Sequence, residues 1–427
     1  DAEIDGIYYN FSGTEASVTY QGNSYSEYSD IYTGTIFIPE TVSYNGTTYS
    51  VTCIGNYAFY GCTGLTSVTI PESVNSIGED AFSGCTGLTS ISIPNNVTSI
   101  GSYAFSGCTG LTSVTIPESV TSISSSAFSN CTGLTSVTIP NGVTNIGQFA
   151  FDGCSSLTSV EIPNSVTSVG WYAFGSCGLT SIYIPKNVVN IERYAFSRCE
   201  GLEKIVVAEG NPVYDSRENC NALIETASNT LISGCKNTII PNSVNEIYYY
   251  AFDRCTGLNS ITIPESVTKI WEGAFYDCSS LTSVAIPGSV TSIGRQAFFR
   301  CKALKSVTIG NGVKSIGLSA FYKCSNLTSV TIPNSVNSIG GDAFMCCSGI
   351  ESIVVENENP VYDSREGCNA IIETASRTLH TGCKNTVIPN SVVTISTAAF
   401  YDCTGLTSIV IPNSVTSISG VAFGGCI

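Results

Sequence analysis

Cys62-Thr63-Gly64-Leu65-Thr66-Ser67-Val68-Thr69-Ile70-Pro71-Glu72-Ser73-Val74-Asn75-Ser76-Ile77-Gly78-Glu79-Asp80-Ala81-Phe82 is a phrase that recurs down the chain with few changes. Its Ala-Phe pair returns at Phe59, Phe82, Phe105, Phe128, Phe151 and Phe174, each 23 residues after the last. The spacing slips by one at Phe196 and resumes at Phe252, Phe275, Phe298, Phe321, Phe344, Phe400 and Phe423. A fixed period in the twenties means one supersecondary unit stacked many times, so the chain reads as a solenoid. Length alone, 427 residues, suggests two or three domains. The repeat overrides that prior.

Within one phrase, Leu65 to Ile70 reads as a short β-branched strand, with Val68 and Ile70 on one face and Ser67 and Thr69 on the other. Pro71 cannot donate to a ladder and ends it. Val74 and Ile77 point inward from an irregular connection, and Gly78 permits a turn. Glu79-Asp80-Ala81-Phe82 reads as a helical half-turn or two, with acids at its N-terminus where the dipole favours them. Phe82 returns to the core before Cys85 opens the next coil.

Charged residues make up 12% of the chain, and its net charge is −16. The first 185 residues hold thirteen acids and no Lys or Arg; the remainder holds twenty acids against seventeen bases. An acidic half argues against nucleic-acid binding, which needs a basic face. No apolar run approaches the ~20 residues that cross a bilayer. The chain begins at Asp1 without Met, which reads as a mature or trimmed export product. Fourteen of the twenty Cys share one repeat position, three residues after each Phe from Cys62 to Cys426. Stacked at strand spacing, about 4.8 Å, with parallel Cβ vectors, they read as buried thiols rather than disulfides. No zinc-ligand spacing is present.

Three segments depart from the phrase. Residues 1–53 read as a β-hairpin cap continuous with the solenoid of 54–427, with one turn at Ser12-Gly13-Thr14 and another at Asn45-Gly46. Asn211-Pro212-Val213-Tyr214-Asp215-Ser216-Arg217 recurs as Asn359-Pro360-Val361-Tyr362-Asp363-Ser364-Arg365. Each opens a 33-residue insertion, within about 206–240 and 354–388. Around Ala227-Ser228 the segments Ala222 to Thr226 and Asn229 to Ile232 can pair as a hairpin. Cys220 and Cys235, and their twins Cys368 and Cys383, then lie symmetrically about each turn. Opposed antiparallel positions accommodate a disulfide; the alternative is a second set of core thiols.

The Cys-x-x-Leu-x-x-Val-x-Ile-Pro…Ile-Gly-x-x-Ala-Phe unit, over roughly residues 36–427, resembles the leucine-rich repeat of BspA-like bacterial surface proteins. The resemblance implies a curved, right-handed leucine-rich-repeat solenoid, an α/β repeat that is mainly β, with a concave parallel β-sheet. It also implies an exported, cell-surface protein, and some members bind host matrix proteins or other bacteria.

An enzyme needs converging titratable groups. The one histidine, His380, has Ile232 at its twin position and reads as a surface or packing residue. No phosphate loop, HExxH or GxSxG occurs. No cofactor is implied. Asp215/Glu218 and Asp363/Glu366 could hold Ca²⁺, but pairing with Arg217 and Arg365 is the favoured reading. On the outward face of the strands, a monotonous run of Ser and Thr breaks at Glu161, Tyr183, Lys204 and Val206. Those four are the candidate contact patch, since aromatic and cationic anchors dominate interfaces; strand propensity alone is the plainer account of the hydroxyl run. A second candidate is cationic. Between Asp277 and Asp342 there is no acid, while Arg295, Arg300, Lys302, Lys305, Lys314 and Lys323 are present. Arg300 and Lys323 share a coil position, so they stack and could attract an anionic glycan or acidic surface.

These readings converge on a non-enzymatic, adhesin-like interaction scaffold binding a surface protein or glycan through its concave sheet or insertions. A structural spacer with no ligand of its own is the alternative. The last coil stops at Cys426-Ile427 with no evident cap, which predicts a missing C-terminal piece or end-to-end self-association.

Overall fold

The computed structural model describes residues 2–21 and 31–426; of the expected cap, Asp1 and residues 22–30 lie outside the described residues, as does Ile427 in the last coil. The chain forms two compact units, Asp1–Tyr214 and Asp215–Ile427. Each is a stack of parallel coils in which every coil contributes one strand position to each of two ladders.

The longer ladder carries the Leu-to-Ile strands. In the first unit Gly34–Phe37 pairs with Leu65–Thr69, Ser113–Thr115 with Ser136–Thr138, and Ser181–Ile184 with Lys204–Val207, all parallel. In the second unit Ser283–Ile286, Ser306–Ile309, Ser329–Ile332 and Ser352–Val355 run in series. The shorter ladder joins the Ser-Ile dipeptides that follow each Val, such as Ser76–Ile77 with Ser99–Ile100. Proline ends most long strands, with Ala208, Gly310 and Glu356 in its place at three, and its carbonyl accepts the N–H of the Val three residues on, as in Pro71 to Val74 at 3.1 Å.

The third edge differs from expectation. Glu79-Asp80-Ala81-Phe82 is not helical: Asp80 has φ 52° and Gly84 φ 75°, and the pattern repeats in other coils at Tyr57 and Gly61, Tyr103 and Gly107, and Gln296 and Arg300. Left-handed residues two places either side of each Phe swing alternate peptide groups along the stacking direction. Asp80, Phe82 and Gly84 donate their N–H groups to Ser102, Ala104 and Ser106 of the next coil at 2.9, 2.7 and 2.7 Å. A third ladder therefore replaces the helix, and the acids face no helix dipole. The only helical segments among the described residues are two short 3₁₀ turns, Arg217–Asn219 and Arg365–Gly367. Gly78 also has a different reason from the one expected. A Cβ there would lie 2.4–2.7 Å from Asn56 and the Gly55 carbonyl carbon of the preceding coil, so close coil approach rather than a turn demands glycine.

The spine is phenyl and thiol. Rings from Phe59 to Phe196 stack at 4.9–5.9 Å, within 9° of parallel, and those from Phe252 to Phe344 at 4.9–5.3 Å. The column cysteines are free thiols, and nearly all are buried. Most Phe carbonyls of the column take two donors. Phe82 O accepts the N–H of Cys85 at 3.1 Å and the Sγ–H of Cys108, one coil on, at 3.1 Å. The thiol thus joins coils as well as filling space. Serine does the same beside several prolines: Ser289 Oγ donates to Val267 O, and Ser335 Oγ to Val313 O.

The cap holds the expected hairpins. Ile7–Ser12 pairs with Glu15–Thr19, and Thr41–Tyr44 with Thr47–Ile54 across Asn45-Gly46, both at positive φ. Glu15–Thr19 then runs parallel to Thr47–Ile54, which feeds the short ladder.

Candidate functional site

The long-ladder face brings three of the four expected patch residues together. Tyr183 and Val206 are direct cross-strand partners, and Lys204 stands opposite Ser181 on the same face. Tyr183 is 54% exposed and Val206 half-buried. Glu161 is exposed one coil earlier, outside any assigned strand. Alternation places Ile182, Ile184, Ile205 and Val207 in the core beneath, so the two strands hold this face rigidly.

The six cations do not form one patch. Arg300 and Lys323 do stack: Arg300 N–H donates to Tyr322 O on the third ladder. Their cations lie 5.7 Å and 5.5 Å from the Phe299 and Tyr322 ring centroids, and Phe299 stacks between Tyr276 and Tyr322 at 4.8 Å from each. Arg295 stands 4.0 Å from Glu272. Lys302 is exposed two residues past Arg300, Lys305 opens the long strand Ser306–Ile309, and Lys314 precedes the short strand Ser315–Ile316. The coil distributes these side chains over three ladders, because residues five to fourteen apart in a 23-residue turn face different ways.

Each insertion is a sealed graft. The Asn211 amide uses its whole capacity, donating to Pro185 O and Val188 O and accepting from the N–H groups of Val213 and Tyr214, all at 2.8–2.9 Å. Asn359 repeats this on Pro333, Val336, Val361 and Tyr362. The hydroxyls of Tyr214 and Tyr362 accept the Ile191 and Ile339 N–H groups, closing the short ladder where the next coil has no Ser-Ile strand to offer. Burial raises the Tyr362 pKa. Asp215 is gripped by Arg217, Nε to Oδ1 at 2.8 Å and Nη2 to Oδ2 at 2.5 Å, and Asp363 by Arg365 in the same way. The carboxylates thus have cationic partners of their own. His380 Nε2 lies 3.9 Å from Glu373 Oε2, edge-on to Tyr362.

The insertion cysteines are not bridged. Hairpins form, Leu223–Glu225 with Thr230–Ser233 and Ala370–Glu373 with Thr378–Gly382, but each carries a register shift, between Leu223 and Ile224 and between Ile371 and Ile372. A one-residue bulge moves Cys235 opposite Asn221 rather than Cys220. Its Sγ donates to Asn221 O at 3.2 Å, while Cys220 Sγ turns to Ala222 O at 3.7 Å. Cys383 and Cys368 repeat these contacts on Asn369 and Ala370. All four are free and buried, the second set of core thiols. Burial pushes Cys220 and Cys368 up to about 11, and the column thiols Cys131, Cys199, Cys255 and Cys403 up to about 12.

A family profile described as BspA type leucine rich repeat region matches residues 38–141, 121–220, 223–351 and 378–427. The chain belongs to the BspA type leucine-rich-repeat family. It is 31% identical to the crystal structure of a leucine rich cell surface protein from Faecalibacterium prausnitzii, with TM-score 0.66, covering 98% of this chain and 94% of that one. The pneumococcal vaccine antigen PcpA shares the fold at 18% identity and TM-score 0.52, covering 99% and 94%. A leucine-rich repeat protein from Eubacterium ventriosum does so at 24% and 0.50, covering 99% and 94%. No curated protein matches the chain. No helix among the described residues is long and apolar enough to cross a membrane.

Two further exposed apolar residues keep register with the proline of the BspA type coil rather than with its cysteine. Thr238-Ile239-Ile240-Pro241 and Thr386-Val387-Ile388-Pro389 repeat the sequence of the long strand's end inside the insertions, without forming a strand there. Thr238, Ile240, Thr386 and Ile388 are buried, whereas Ile239 and Val387 are 72% and 71% exposed at the outward position. Insertion had shifted them out of the 23-residue count.

Proposed function

We propose that this chain is a non-enzymatic interaction scaffold displayed outside the cell, which engages a protein or glycan partner through the exposed face of its long ladder. One observation carries the reading. On a face where most coils present Ser or Thr, Tyr183, Lys204 and Val206 stand side by side on register-locked strands. They set an aromatic and a cation together where the other breaks, such as Phe37, Val354 and Val410, are single apolar residues. Surface display is supported by the cell-surface protein to which the chain is 31% identical. The outward Ile239 and Val387 extend the set of contact residues to both insertions.

The test is capture of the purified chain on immobilised matrix proteins and on a glycan array. Tyr183→Ala combined with Lys204→Glu is expected to weaken capture at least about tenfold, as for a central anchor. Silence of the wild-type chain on both formats would instead support a spacer that holds other domains away from the envelope.

A further inference from the structure

Trp171 stands in the first unit at the third-ladder edge, away from the face described above. Beneath it, Phe149, Tyr172 and Tyr194 occupy one coil position in three successive coils and stack at 5.6 and 5.0 Å, 1° and 15° from parallel. The indole crosses this row, 4.9 Å from Phe149 at 70°, 5.1 Å from Tyr172 at 69° and 6.2 Å from Tyr194 at 61°. Both faces of Tyr172 are covered by its stacked neighbours, so the perpendicular contact sets the indole's face on the ring's edge. Its other face turns outward, and the residue is 39% exposed. The Trp171 backbone N–H is pinned by Glu192 Oε2 at 2.9 Å. Its indole N–H has no partner among the described residues.

The other tryptophan shows what a purely structural indole looks like in this fold. In the second unit, Trp271 donates Nε1–H to Glu246 Oε2 at 2.6 Å and carries the Lys269 ammonium 3.2 Å above its ring. Its donor and one face are already used.

We propose that Trp171 is the platform of a carbohydrate subsite for a neutral, β-linked, gluco-configured polysaccharide. This deepens the surface-scaffold reading and rests on it. Such a sugar has axial C–H groups on each face and hydroxyls around its rim, which suits a flat exposed ring bordered by polar groups. Exposed Gln148 and Arg193 hold the same coil position as Trp171 in the coils before and after it, one strand spacing away, and supply planar hydrogen-bonding side chains. A peptide side chain would need a concave apolar pocket, whereas this ring lies on an open edge. The charges around the ring are balanced, Arg193 beside Glu192 in sequence and Arg198 acting on Asp152, which suits a neutral polymer.

The experiment is titration of tryptophan emission with cellohexaose and with chitohexaose, the two arms separating plain hexose from N-acetylhexosamine strands. At least one hexasaccharide is expected to shift emission saturably in the wild type and in Trp271→Phe. Trp171→Ala should bind at least about tenfold more weakly, the worth of one aromatic stacking partner. Gln148→Ala, which leaves the ring row intact, should weaken binding by a few fold. Failure of both sugars to move the emission, or equal binding by Trp171→Ala, overturns the proposal. If partner capture sensitive to Tyr183→Ala persists in that case, only the sugar subsite falls. If the wild-type chain captures nothing, the scaffold reading falls with it.

Discussion

Phe298 and Gly382 hold equivalent places in the second unit and use them in opposite ways. Each donates its N–H to the alanine before the next phenylalanine, Phe298 to Ala320 O at 2.7 Å and Gly382 to Ala399 O at 2.9 Å. Phe298 fills the core between Phe275 and Phe321, at 5.0 and 5.2 Å. Gly382 leaves that space to the following ring: a Cβ on it would lie 2.1 Å from Phe400 Cε1. The insertion coil thus gives up its own phenyl, lets its neighbour's ring lean over, and satisfies the stranded backbone with Asn359 and Tyr362. The third ladder is the invariant of this fold, and the side chain set upon it can change.

The largest effect that would sharpen this contrast is Phe298→Ala, which opens a cavity in a continuous ring stack. It is expected to destabilise the second unit by about 3–5 kcal/mol in urea unfolding. A loss under about 1 kcal/mol would mean that an ordinary coil can close up as the insertion does. Gly382→Ala should cost less, about 1–3 kcal/mol, because the Phe400 ring must be displaced; a neutral result breaks the comparison from the other side. The smallest effect concerns thiols. Their folded pKa values are raised, so the stability they lend is intact below the unfolded value near 9 and is lost as pH rises toward the folded value. Cys220 and Cys368 reach about 11 and the column thiols about 12, so alkylation with rising pH should label the insertions first, by about tenfold in rate. Mass spectrometry of the labelled peptides checks the order.

The stack itself was legible because period, Pro71-type strand ends and the phenyl and thiol columns all repeat in the same frame. The third edge was not. Left-handed backbone is announced by glycine at Gly84 and Gly107, but at Asp80, Tyr103 and Arg300 ordinary side chains adopt it, and a polar pair before Ala-Phe reads equally as a helix start. The choice between a disulfide and a second set of core thiols in the insertions turns on one bulged residue, a local feature that composition does not encode. Tyr183, Lys204 and Val206 were legible as breaks in a monotonous row. Trp171 lies outside the strands, so it does not register as a break in their pattern. The signal was present all the same, as the aromatics Phe149, Tyr172 and Tyr194 in three successive coils.

The third ladder also has an electrical consequence. In most coils, three peptide groups on this edge, such as those ending at the N–H of Asp80, Phe82 and Gly84, point their hydrogens toward the following coil. Their dipoles of about 3.5 D add head to tail, as in an α-helix, but with the opposite sense along the chain. Within each unit, one wall therefore carries a built-in field whose positive pole faces the later coils, although the described residues hold no helix longer than a three-residue 3₁₀ turn.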